Sequence, residues 1–142
     1  MRIAFCGKGG SGKSTVSSLM AKYLASMNKD VLVVDGDINQ HLGQALGFSD
    51  DALKEQPKLG MSPEVLKEFV KGTNPRIPDA SYITESCPAG RGSGLIHFNE
   101  TNPVFDHYQL QQDGIRFMAI GGHDDSDIGT TCYHKFTGIF GV

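Results

Sequence analysis

An α/β fold on a mainly parallel sheet is predicted by three observations: a short apolar run entering a glycine-rich loop, a helical apolar stripe behind it, and an unalternating β-branched run. The first is residues 2–6, apolar after Arg2 and ending at Gly7, which reads as a buried strand. The second covers 14–28, where Val16, Leu19, Met20, Tyr23, Leu24 and Met27 recur at helical spacing and predict one buried face. The third is Val31-Leu32-Val33-Val34, whose lack of polar alternation marks a parallel strand covered on both sides. Strand, helix and strand in this order make a βαβ unit, which is right-handed in nearly all proteins.

Later elements follow from weaker signals. Residues 40–47 predict a short helix closed by Gly47, and Ser62-Pro63 ahead of Val65, Leu66, Phe69 and Val70 predicts a second, ended by Gly72. From Thr73 to Asp113 the chain is rich in Pro, Gly, Ser and Asn, with apolar clusters at Tyr82-Ile83 and Leu95 to Phe98. That length is unusual for a structureless loop, so an insertion with small elements of its own is expected. Ile115 to Ile120 predicts a third strand entering Gly121-Gly122. The 142 residues thus divide into a βαβ core over 1–47, an insertion over 48–114, and a strand with its following loop over 115–142, all within one domain.

Composition narrows the function classes. Hydrophobic residues make up 39% and charged residues 20%, and no apolar run reaches membrane-spanning length. A net charge of −3 offers no basic surface for nucleic acid or an acidic membrane. The amino terminus turns into a glycine loop at once and lacks the pattern of a secretory leader, so a cytoplasmic location is expected. Cys6, Cys87 and Cys132 are odd in number and widely spaced, which predicts reduced thiols. Cys6 ends the first strand and is assigned to the core, while His41, His97, His107 and His123 have no ligand spacing and are assigned to the surface.

Gly7-Lys8-Gly9-Gly10-Ser11-Gly12-Lys13-Ser14 satisfies the phosphate-loop pattern of glycine, four residues, then Gly-Lys-Ser. Glycines let backbone N–H groups curl around a phosphate, and the helix that begins near Lys13 turns its positive end toward the same anion. Lys13 neutralises β- and γ-phosphate charge, the Ser14 hydroxyl reaches Mg²⁺, and Thr15 is placed for the α-phosphate. Val34-Asp35-Gly36-Asp37-Ile38-Asn39 then sets two carboxylates beyond the second strand, at the sheet edge where open α/β folds bind ligands.

Lys8 carries a more specific signal, because an ordinary phosphate loop needs no lysine there. Lys-Gly-Gly-X-Gly-Lys-Ser resembles the deviant Walker A loop of the MinD/ParA, nitrogenase iron protein and CooC-like ATPases. The resemblance implies a three-layer P-loop NTPase fold and Mg²⁺-dependent ATP hydrolysis in a homodimer, coupled to a metalloenzyme client or another partner event. It implies that Lys8 contacts phosphates bound to the neighbouring subunit, that Asp37 positions the attacking water, and that Asp35 lies near the metal shell. Ile38 stands where many relatives have proline. Two alternatives stay open: a non-catalytic nucleotide-binding module, and a ParA-like partition ATPase.

Cys132-Tyr133-His134 follows the third strand, where iron-protein and CooC-like members carry a dimer-axis cysteine that binds an iron–sulfur cluster or a metal. By that resemblance, Cys132 and His134 from two subunits would offer a tetrahedral set for zinc or nickel. A partly buried cysteine beside an unrelated histidine is the plain alternative. Cys87-Pro88-Ala89-Gly90 looks similar but precedes the third strand, which ranks it lower. Complete family members continue into an aspartate-bearing Walker B strand and a base-recognition loop that this sequence does not contain. Truncation before that strand is therefore expected, with an open strand edge that invites association, and with nucleotide binding but weak or absent turnover from these 142 residues.

Overall fold

The computed structural model describes residues 1–37, 39–83, 90–97 and 101–121. Helix α1 (Lys13–Ser26) precedes strand β1 (Val31–Asp35), and helices α2 (Leu42–Leu46), α3 (Asp50–Glu55) and α4 (Glu64–Lys71) follow. A 3-10 turn at Ala80–Tyr82 leads on to helix α5 (Pro103–Tyr108) and strands β2 (Leu110–Gln112) and β3 (Ile115–Ala119). The sheet order is β1-β3-β2, with β1 parallel and β2 antiparallel to β3.

Period-2 alternation divides the core into two clusters, one on each face of the sheet. Val31 and Val33 of β1 and Ile115, Phe117 and Ala119 of β3 pack with Ala21 of α1, Leu42 and Leu46 of α2, and Phe48. Leu32, Val34, Met118 and Ile120 face the other way, against Leu66 and Val70 of α4 and Val104, Phe105 and Tyr108 of α5. Helices on both faces of a sheet give the expected three layers. Segment 48–114 is thus no appendage: it supplies Leu59, Leu66, Val70, Ile83, Val104, Phe105 and Tyr108 to the second cluster.

Several local rules are visible. Gly47 closes α2 in the left-handed conformation, at φ 108°, which a Cβ would strain. Asn102 caps α5 by accepting from the Val104 and Phe105 N–H groups, with proline in the first turn. Pro63 stands at the start of α4, but the Ser62 hydroxyl makes no cap there. Asp113 and Gly114, at φ 50° and 76°, join β2 to β3 in the backbone twist that two-residue hairpins favour.

Two expectations fail together. Residues 1–6 form no strand and are exposed, Ile3 at 47% and Phe5 at 37%, and Cys6 is an exposed free thiol rather than a core residue. A strand needs a neighbour for its N–H and C=O groups, and none of the described strands lies beside this segment. Helix α1 forms where expected, but most of its large apolar stripe faces outward. Its buried residues are Ser18 and Ala21. Of the predicted stripe only Leu24 packs on the core, with Met20 half-buried, whereas Val16 is 53%, Leu19 62%, Tyr23 63% and Met27 50% exposed. With residues 1–6 off the sheet, the rest of the stripe has no sheet surface to cover. The small-residue face lets α1 approach β1 and α2 instead.

Candidate phosphate-binding site

Local geometry makes residues 7–15 a cluster of exposed donors. Gly10 and Gly12 take positive φ angles of 74° and 82°, and a Cβ at Gly9, Gly10 or Gly12 would point into open space. The loop is pinned by Ser11 N–H donating to the Lys8 carbonyl at 3.2 Å. Helix α1 then starts after Gly12 with no side-chain cap, and the N–H groups of Lys13, Ser14 and Thr15 have no acceptor among the described residues. Uncapped donors at the positive end of a 14-residue helix suit a bound anion. The residues present therefore fit a polyphosphate.

Lys13 folds over this loop. Its Nζ donates to the Lys8 carbonyl at 3.1 Å and lies 3.9 Å from Asp37 Oδ2. The Lys8 ammonium, by contrast, makes no hydrogen bond or ion pair among the described residues and projects from an exposed loop. Ser14 is half-buried and Thr15 exposed, both at the first turn of α1.

The two strand-end aspartates divide their work. Asp35 is only 3% exposed. Its Oδ1 accepts from Asp37 N–H at 3.0 Å and its Oδ2 from Leu42 N–H at 3.1 Å. One carboxylate thus holds the turn after β1 and satisfies the first orphan amide of α2, whose preceding His41 offers no side-chain cap. Asp37 is more open, and its Oδ1 accepts from both the backbone and side-chain N–H of Asn39, at 3.0 and 3.1 Å. The Ser14 hydroxyl makes no hydrogen bond among the described residues, and Asp37 Oδ2 faces the Lys13 ammonium at 3.9 Å. Asp35, expected near the metal shell, has both oxygens engaged as a loop anchor.

Their acidities differ accordingly. Burial pushes the Asp35 carboxyl above its ordinary 3.8, against the two N–H bonds that favour its anion. The Asn39 backbone N–H, helped by its side-chain amide and the Lys13 ammonium, holds Asp37 below the same value. A raised folded-state value means Asp35 favours folding fully below about 3.8, and that contribution is lost as pH rises through its own, higher pKa. The stability of wild type minus that of Asp35→Asn is therefore expected to fall from pH 3.5 toward neutrality, measured by urea unfolding across that window. A difference that rises with pH would contradict the burial-dominated reading.

Asn39 is a further site residue, signalled in the sequence by the Asp-X-Asn spacing of a side-chain-closed turn. A cavity of about 250 Å³ opens elsewhere, between α2, α3 and the end of β3, and no residue of the 7–15 loop lines it. The Lys58 ammonium beside it is already taken by the Leu53 carbonyl and Gln56 Oε1, at 2.6 and 3.1 Å.

Cys87, His123, Cys132 and His134 lie outside the described residues, so their expected roles have no structural counterpart here. Among the described residues, no group of three or more His, Cys, Asp or Glu side chains is placed to hold a metal ion, and no helix is long and apolar enough to cross a membrane.

A three-layer α/β domain with a phosphate loop opening its first helix defines a nucleotide-binding P-loop protein. Residues 3–119 match the CobQ/CobB/MinD/ParA nucleotide binding domain, and the chain belongs to that family. It is 31% identical over 137 residues to an uncharacterized ATP-binding protein of Methanocaldococcus jannaschii, covering 93% of this chain and 47% of that one. Against the carbon monoxide dehydrogenase accessory protein CooC of Rhodospirillum rubrum, identity is 30% over 132 residues, covering 93% and 44%. A probable adenylyl-sulfate kinase of Bacillus subtilis is 43% identical over 94 residues, covering 59% of this chain and 46% of the kinase. The chain spans about half the length of these curated relatives. No solved structure matches it significantly.

Proposed function

We propose that this chain binds ATP and ADP with Mg²⁺ through residues 7–15 and takes part, as a homodimer, in ATP hydrolysis that drives maturation of a metal centre. The observation that carries the reading is the uncapped row of N–H donors at Lys13, Ser14 and Thr15, with the Lys13 ammonium folded above it. Ser14 and Asp37 would hold the magnesium ion, which supplies charge neutralisation between the β- and γ-phosphates when bound. Lys13 stabilises phosphate charge from the same subunit. The Lys8 ammonium, exposed and without a hydrogen bond or ion pair among the described residues, is available to reach phosphates on a second copy. Asp37 orients the water that attacks the γ-phosphorus, a role its lowered pKa suits because the carboxylate stays ionised at neutral pH. The metal-centre purpose comes from likeness to the CooC accessory protein alone.

The test is phosphate release from Mg²⁺–ATP at rising protein concentration. Turnover that increases more than linearly, and that Asp37→Ala abolishes while ADP binding survives, is expected. Binding without any turnover would leave a nucleotide-binding module. Partial likeness to adenylyl-sulfate kinases favours a second reading, phosphoryl transfer to a small acceptor. ADP formation that needs added adenylyl sulfate and releases no phosphate would favour that reading.

A further inference from the structure

The contact between Lys13 and Asp37 joins two loops that no other hydrogen bond or ion pair among the described residues connects. On one side is the ammonium the phosphates need. On the other is a carboxylate whose oxygens are split between two tasks: Oδ1 is fixed by Asn39 and Oδ2 is left facing Lys13. Both side chains are partly shielded, at 23% and 35% exposure, so the pair is weak but not fully screened. Behind Asp37, its own N–H and that of Leu42 share the buried Asp35 carboxylate. The position of Asp37 is thereby tied to the first residue of α2. That helix is held to α1 by Lys22 Nζ donating to the Ala45 carbonyl at 2.9 Å.

We propose that Asp37 is an internal competitor for the Lys13 ammonium: it occupies the phosphate-binding lysine until a polyphosphate takes it, and its release frees Asp37, Asn39 and the start of α2. The ligand class is a nucleoside di- or triphosphate, so the inference rests on the phosphate-loop reading and adds a regulatory role for that site. A polyphosphate carries more charge than one carboxylate and meets backbone donors as well, so it wins the competition. The carboxylate lowers affinity only by the strength of its own hold on Lys13. Because coupling is reciprocal, whatever engages Asp37 and so releases Lys13 also strengthens phosphate binding.

The experiment is an NMR titration of the full chain with ADP in EDTA, followed at the Gly10, Gly12 and Leu42 amides. Leaving out Mg²⁺ removes any contact between Asp37 and a metal ion. Asp37→Asn is expected to bind ADP about two- to fivefold more tightly, the worth of a partly exposed ion pair. A carboxylate that merely repels phosphate would give a similar gain, so the substitution is repeated in a Lys13→Ala background. The competitor role requires the gain to vanish there, as a coupled pair does in a double-mutant cycle. It also requires the Leu42 amide to shift with ADP in wild type and to move little in Asp37→Asn. Equal or weaker binding by Asp37→Asn, or a gain that persists without Lys13, overturns it. If neither wild type nor Asp37→Asn binds ADP while thermal melts show both folded, the phosphate-loop reading falls and the competitor role falls with it.

Discussion

Lys13→Ala is expected to weaken Mg²⁺–ADP and Mg²⁺–ATP binding by about 10- to 100-fold, the equivalent of one charge-assisted hydrogen bond to phosphate. The substitution leaves the backbone donors of Gly9 to Thr15 in place, so binding falls without disappearing. Thermal stability should barely change. In the free protein Lys13 makes one bond to an exposed carbonyl and one ion pair at 3.9 Å, and contacts of that kind contribute about 0–1 kcal/mol. Calorimetric titration beside a thermal melt separates the two effects. Unchanged affinity would mean that the ammonium does not reach the phosphates. A collapsed melting transition would mean that Lys13 has a structural role its contacts do not reveal.

Phe117→Ala should produce the larger stability loss, about 3–5 kcal/mol by the usual cost of emptying an aromatic core site. Phe117 is 1% exposed at the centre of β3 and stacks on Phe48 with ring centroids 5.4 Å apart. The packing around it is tight enough that a Cβ on Gly43 would come within 3.1 Å of its ring. The Phe117 carbonyl also accepts from buried Gln56 Nε2 at 3.1 Å, and that same amide donates to the Tyr108 carbonyl at 2.9 Å. Small domains are stable by about 5–15 kcal/mol in total, so this change removes a large share. Urea unfolding measures it directly. A loss below about 1 kcal/mol, the scale of a surface substitution, would show that β3 does not form the centre of the core.

Much of this arrangement was legible in the residues. The glycine loop, the helix behind it and both parallel strands follow from pattern alone, because each is set by contacts within a few residues or by a continuous apolar run. The hairpin at Asp113-Gly114 and the Asn39 turn are also written there, in dipeptide and tripeptide signals. Segment 48–114 was harder for a physical reason. Its core residues (Leu59, Ile83 and Val104 among them) come singly or in short clusters with no sustained period, and only distant partners give them a place.

Residues 7–14, a helix carried by 14–26 and carboxylates beyond β1 were determined by the sequence itself, since a phosphate loop is local backbone chemistry. Tertiary structure decided which face of α1 is buried, whether residues 1–6 pair, and which aspartate anchors and which reaches. Periodicity reveals that a helix has an apolar face but not what lies opposite it, and α1 carries two candidate faces. Likewise Asp35 and Asp37 are the same residue type two positions apart. They differ because one sits beneath α2 with two N–H donors and the other opens toward Lys13.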